Sequence, residues 1–237
     1  MSRAATLITG VGRRAGLHIA RTLLQRGLPV IGTYRSRRPG LQELEELGAE
    51  LHPCDFDSQA QVQGLIDKVS DRHPRLRAIV HNASDWLSDS DDRPADEIIG
   101  KMMRVHVNVP YQLNLAFAPL LQACDESHAD IIHIGDYVSS RGSRKHIAYA
   151  ASKAAQDNLT LSFAAKLAPK VKVNSVAPAL LKFNEHDDED YRRKATNKSL
   201  MQREAGWDEL MHAIDYLMNS RYVTGRILPL DGGRHLK

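Results

Sequence analysis

Tyr149 and Lys153 stand four residues apart in the run Tyr149-Ala-Ala-Ser-Lys153, a spacing that puts both side chains on one face of a helix. A phenol beside an ammonium is a candidate proton carrier, because the cation favours the phenolate and lowers the phenol's pKa. Near the other end of the chain, Thr9-Gly10-Val11-Gly12-Arg13-Arg14-Ala15-Gly16 follows a short apolar run and precedes a helical one. Glycines there let the backbone turn tightly and approach a pyrophosphate, which sits where the helix presents unpaired N–H groups. After the second apolar run, Tyr34-Arg35-Ser36-Arg37-Arg38 offers cations. An acid at that place grips a ribose 2′-hydroxyl, whereas arginine accommodates a 2′-phosphate. The three features together point to NADPH as cofactor, with a proton carrier beside it.

These groups need a scaffold that brings distant segments to one edge. Short apolar runs at 5–9, 29–34, 76–82, 130–135 and 171–177 read as strands, several of them apolar on both faces, as in a parallel sheet covered on each side. Between them, Leu17–Leu24, Leu41–Leu47, Val62–Val69, Val105–Leu121 and Tyr149–Leu167 carry apolar residues at helical spacing. The alternation predicts right-handed crossovers and an open twisted sheet. The expected fold is α/β: one Rossmann-like, doubly wound parallel sheet with helices on both faces, a single domain over 1–237. The segment 182–203 is long and polar, with a charge block from Glu185 to Lys194. It is expected to be a loop at the substrate site, since long loops in compact domains are often functional.

The chain has 237 residues and a net charge of +3, from 32 basic and 29 acidic side chains. That balance gives no argument for nucleic acid or an anionic membrane as partner. The longest stretch without a charged side chain, Val105 to Cys124, holds two asparagines, two glutamines and two prolines and reads as a buried helix, not a span. The first ten residues lack the apolar core of a signal peptide. Cys54 and Cys124 form no paired motif and suit a reducing compartment, so a cytoplasmic location is expected. Eleven histidines make no HxH, HExxH or Cys/His cluster, and no metal is expected.

The turn, the Tyr149/Lys153 pair and their order resemble the short-chain dehydrogenases/reductases, over nearly the whole chain to Leu230-Asp231-Gly232-Gly233. The resemblance implies an adenine site at Asp55-Phe56 and a cofactor contact along His81-Asn82-Ala83-Ser84, in place of the family's NNAG. It also implies nicotinamide contacts near Pro178 and Leu180, and a proton-relay role for Asn108, 41 residues before Tyr149. With Gly10, Arg13, Arg14, Gly16, Tyr34, Arg35, Ser36, Tyr149 and Lys153 these residues complete the expected cofactor site.

Two departures from the family pattern bear on the substrate. Arg14 stands where the middle glycine of the turn belongs, and Asp136, 13 residues before Tyr149, stands where the family has serine. A carboxyl group beside the phenol suits a basic ring nitrogen better than a carbonyl oxygen. Asp136, Ser84, Trp86 and Arg14 together resemble the pteridine-reductase branch, in which a pterin lies between nicotinamide and an aromatic residue matching Trp86. Asp136-Tyr-Val, Arg141-Gly-Ser, Lys145–Tyr149, Phe183–Asp188 and the Gly233-Arg-His tail resemble the bacterial dihydromonapterin reductases within that branch. The implied reaction is NADPH-dependent reduction of 7,8-dihydromonapterin, with weaker action on dihydrofolate, by a homotetramer. The rival readings are a carbonyl or 3-oxoacyl reductase and a silent NADP(H)-sensing regulator.

Overall fold

The computed structural model describes residues 3–237. Seven strands, β1 Ala5–Ile8, β2 Val30–Tyr34, β3 Glu50–Pro53, β4 Leu76–His81, β5 Ala129–Ile134, β6 Val171–Pro178 and β7 Arg226–Leu230, form one parallel sheet in the order β3-β2-β1-β4-β5-β6-β7. Every residue of β1, β5 and β6 is buried, because helices cover both faces. On one face α1 (Arg14–Gln25), α2 (Gly40–Glu46) and α8 (Trp207–Asn219) pack Ile19, Leu23, Leu44 and Ile214 onto Ile8, Val80 and Ile132.

On the other face α3 (Gln59–Arg72), α5 (Val109–Gln122) and α6 (Ile147–Leu167) pack Leu65, Leu113, Phe117 and Phe163 onto Leu7, Ile79 and Ile131. The remaining helices are α4 (Ala95–Met103) and α7 (Glu189–Thr196).

All five expected strands are present, and two further ones flank them. The expected helix from Val105 to Leu121 is divided: a π-turn, Arg104–Asn108, joins α4 to α5. The segment 182–203 is not wholly a loop, since α7 forms inside it. Asp188 caps that helix by accepting the Tyr191 N–H at 2.7 Å, and Glu189 and Asp190 occupy its first turn, where carboxylates are favourable.

The strand order reverses direction between β1 and β4, so the connections leave the sheet to opposite sides there and open a crevice at the carboxyl ends. The crevice exists only because backbone meets backbone at its floor. A Cβ on Gly16 would lie 2.2 Å from the Gly10 carbonyl oxygen and 2.4 Å from Asn82 Nδ2. Gly16→Ala should therefore destabilise the protein by about 1–3 kcal/mol through overpacking. At about 2–4 °C of Tm per kcal/mol for a chain of this size, thermal denaturation reads the change. Gly100→Ala, where a Cβ meets nothing within 4 Å, is the control and should leave Tm unchanged or higher.

Candidate active site

The turn after β1 is tied to the end of β4 by side chains that accept and donate in pairs. Thr9 Oγ1 accepts the backbone N–H groups of Asn82 and Ala83, both at 3.0 Å, and Asn82 Nδ2 donates to the carbonyls of Thr9 and Gly10 at 3.0 Å. Gly10 has φ +75° and its Cβ position lies 2.9 Å from Ala83 Cα, so only glycine fits. α1 begins at Arg14 with no side-chain cap and no acid in its first turn. Its first N–H groups are left for an anion.

Above this floor lies a cleft of about 490 Å³. Gly10, Arg13, Arg14, Tyr34, Arg35, Ser36, Asp55, Phe56, Asn82, Ala83, Ser84, Asp136, Tyr149, Lys153, Pro178 and Leu180 all line it. Three expected site residues do not. Gly16 lies under the floor. Trp86 is 64% exposed and stacks on His146 with ring centroids 4.0 Å apart, one residue beyond the cleft-lining Asp85. Asn108 is exposed on the outer side of the π-turn, so the expected relay asparagine is not in the cleft.

His106, two residues earlier, points into the interior behind the cleft wall, and the residue of this turn that lines the cleft is Val105. In a helix two residues are about 200° apart, so a turn that buries residue 106 leaves 108 facing outward. The ring of His106 is fully buried and meets the Tyr149 ring edge-on at 5.4 Å.

The basic turn after β2 is partly committed. Arg35 Nη1 donates to Asp85 Oδ2 at 2.8 Å, and Arg37 pairs with Glu45 outside the cleft. Arg13 and Arg38 line the same end of the cleft. A group bearing pyrophosphate, a ribose phosphate and an extended pair of rings fits this site: glycine backbone and helix N–H groups at the turn, arginines beyond β2, and Asp55 and Phe56 past β3.

Tyr149 and Lys153 emerge from the first turns of α6 on one face, as their spacing requires. Their coupling differs from expectation. Lys153 Nζ donates to the Ile134 carbonyl at 2.7 Å and to Gln156 Oε1 at 3.2 Å, and stands 5.9 Å from the Tyr149 ring. The Tyr149 hydroxyl donates instead to Asp136 Oδ2 at 2.8 Å. Burial foremost, then the Asp136 charge and this hydrogen bond, push the Tyr149 phenol well above its ordinary range, against a smaller opposing effect of Ser84. The expected lowering by lysine does not prevail, and the phenol is a donor. Asp136 Oδ1 accepts the Val138 N–H at 2.9 Å, so the carboxylate both caps the turn Tyr137–Ser140 and holds the phenol. Burial pulls the Lys153 ammonium down to about 8, while the charges of Asp136 and Asp157 hold it up.

Trp207, at the start of α8, lines the cleft and was not singled out from the sequence. Arg14 reaches over it, its guanidinium carbon 5.2 Å from the indole centroid, and donates to Asn184 Oδ1 at 2.7 Å and the Lys182 carbonyl at 2.8 Å. Its φ of +51° is the left-handed conformation that a glycine in the turn would adopt freely, and costs a non-glycine residue about 1 kcal/mol or more. Arg14→Gly should change global stability by no more than about 1 kcal/mol, since strain relief offsets the lost contacts. The 182–203 segment loses both tethers, and tryptic cleavage at its lysines and arginines should rise about tenfold. Unchanged cleavage would show that Arg14 does not hold the segment.

Among the described residues no three His, Cys, Asp or Glu side chains are placed to hold a metal ion, and no helix is long and apolar enough to cross a membrane. Residues 10–235 match the family model described as enoyl-(acyl carrier protein) reductase. The chain is 51% identical over 231 residues, 98% of its length and 96% of the relative's, to the dihydromonapterin reductase of Escherichia coli O6:K15:H31 (strain 536). The crystal structure of FolM alternative dihydrofolate reductase 1 from Brucella canis, complexed with NADP, superposes with a TM-score of 0.87 at 26% identity, covering 99% of this chain and 94% of that one. The Brucella suis protein of the same name, also in complex with NADP, gives 0.83 at 26% identity, covering 99% and 96%. With its turn, its Tyr149/Lys153 pair and its parallel sheet, the chain belongs to the short-chain dehydrogenase/reductase family.

Proposed function

We propose that the chain reduces 7,8-dihydromonapterin to the tetrahydro form with NADPH, and dihydrofolate more weakly. The observation that carries this reading is the hydrogen bond at 2.8 Å between the buried Tyr149 and the half-buried Asp136, in a chain half identical to a dihydromonapterin reductase over nearly its whole length. When bound, NADPH supplies the hydride for C6 of the N5=C6 bond, and N5 takes a proton. Tyr149 and Asp136 hold that proton between them at the mouth of α6. Lys153 keeps a cation beneath the carboxylate, and the turn and the arginines beyond β2 bind the cofactor's phosphates. Ser84 and Arg14 face the substrate end, with Trp86 on the rim beside Asp85 and the 182–203 segment as a wall.

Two cysteines, Cys54 and Cys124, are free and buried, which supports a reducing, cytoplasmic setting. Exposed Tyr111 and Leu115 on α5 and Leu161 on α6 support burial between subunits and hence the proposed homotetramer.

The decisive assay follows NADPH absorbance with dihydromonapterin, dihydrofolate and a simple ketone. Turnover of the ketone alone would overturn the pterin assignment. Arg35→Ala should raise the KM for NADPH about tenfold and leave that for NADH nearly unchanged. That is the lower end for a charge-assisted phosphate contact, since Arg35 is already shared with Asp85. Equal losses with both cofactors would remove Arg35 from 2′-phosphate recognition.

The pH profile tests the buried ammonium. Because its folded-state pKa is lowered, Lys153 is charged below about 8 and loses its proton as pH rises through that value. The profile of kcat/KM, which reports ionisations of the free enzyme, should fall above about pH 8. In Lys153→Arg that limb should leave the accessible range, because arginine stays charged. A limb that persists in Lys153→Arg belongs to another group.

A further inference from the structure

His106 lies between two serines, the buried Ser152 and the cleft-lining Ser84. Its Nδ1 is 2.8 Å from Ser152 Oγ on α6, and its Nε2 is 2.8 Å from Ser84 Oγ, three residues past the end of β4. The direction of each proton follows from the alternatives open to the hydroxyls. Ser152 donates to the Tyr149 carbonyl at 2.7 Å, which leaves its oxygen to accept from Nδ1–H. Nε2 is then a lone pair, and the Ser84 hydroxyl donates to it at 2.8 Å in preference to the Asp85 carbonyl at 3.2 Å and to the neighbouring Tyr149 hydroxyl, whose own proton goes to Asp136. Burial and the Lys153 charge keep the ring neutral.

We propose that His106 is a positioning residue that, as the Nδ1–H tautomer, takes the proton of Ser84 and so presents Ser84 to the cleft as a hydrogen-bond acceptor only. Ser84 Oγ then receives N–H donors from the bound ring, and a ligand that offers only a carbonyl oxygen there meets lone pair against lone pair. The last step rests on the pterin reading above, because a pterin ring carries N–H donors and a simple ketone none. The same geometry closes this path to proton supply. A histidine whose Nδ1 proton is held by Ser152 has no proton to pass to Ser84, so Tyr149 is not recharged through His106.

The tautomer is measured without substrate. In wild-type protein labelled with 15N-histidine, with NADPH present, long-range 1H–15N correlations should show His106 protonated at Nδ1 and bare at Nε2 at neutral pH. An Nε2–H tautomer or an imidazolium overturns the proposal. The signal is assigned by its loss in His106→Phe.

Kinetics form the second arm. His106→Phe keeps the ring against Tyr149 but removes both polar contacts, and should raise the dihydropterin KM about tenfold with a smaller change in kcat and in NADPH affinity. His106→Gln offers an amide oxygen near the Nε2 position and should recover most of that loss, whereas His106→Asn, which reaches only toward Ser152, should not. In a Ser84→Ala background His106→Phe should cost nothing further. Full additivity of the two changes, or equal rescue by asparagine, overturns the proposal. A wild-type enzyme inactive on dihydropterin would sink the substrate reading alone, and the tautomer measurement would still decide the role of His106.

Discussion

The site depends on one contact, the apposition of the turn 9–16 with the end of β4 at the place where the sheet changes direction. Backbone packs on backbone there: Gly10 against Ala83, Gly16 against the Gly10 carbonyl, and Asn82 across both. No side chain fits at Gly10 or Gly16, and the one that enters, the Asn82 amide, bonds the Thr9 and Gly10 carbonyls. The contact determines how close an anion can come to the first turn of α1, and it carries Ser84 and Asp85 to the cleft wall. Since β1 and β4 are neighbours, the floor of the cleft inherits the rigidity of the sheet itself.

The walls are looser, and charge and strain shape them. Arg14 adopts a left-handed backbone in the middle of the turn and commits its guanidinium to Asn184, Lys182 and the Trp207 face. A glycine there would leave the turn relaxed but would remove the two hydrogen bonds by which Arg14 holds the wall 182–203. At the far end Asp85 links Arg35 to Lys101, which in turn pairs with Asp57. An incoming phosphate at Arg35 therefore competes with a carboxylate already present, and the same network that preorganises the guanidinium also limits what it can add to affinity.

Much of this was legible in the sequence where the relevant signal is local. The turn, the Tyr149/Lys153 spacing and the five apolar strands depend on neighbours within a few residues. β3 was not legible because its four residues include Glu50 and Pro53, and β7 because Pro229 interrupts its pattern. Such a proline is tolerated since β7 is an edge strand. His106 was missed for a different reason. Which of His106 and Asn108 turns inward against Tyr149 is decided by the π-turn, and that register follows from how α4 and α5 pack, not from residue type. The partner of Tyr149 was likewise open, because helical spacing brings Lys153 to the same face but does not say which of Lys153 and Asp136 lies closer to the hydroxyl.

That partner has a chemical consequence. Burial pushes Tyr149 and Asp157 toward their protonated forms and Lys153 toward its neutral one. The ammonium nevertheless persists near neutral pH because two carboxylates flank it. A site arranged this way stores its proton on the phenol, where hydride transfer to an N5=C6 bond needs an acid beside the nitrogen. The opposite reaction needs a phenolate, which the Asp136 charge opposes. The equilibrium between substrate and product is untouched by this, but the pH at which each direction runs fastest is not. In the proposed reduction, Asp136 in place of the serine of the family pattern thus favours the protonated form of Tyr149, the form that can donate to a ring nitrogen.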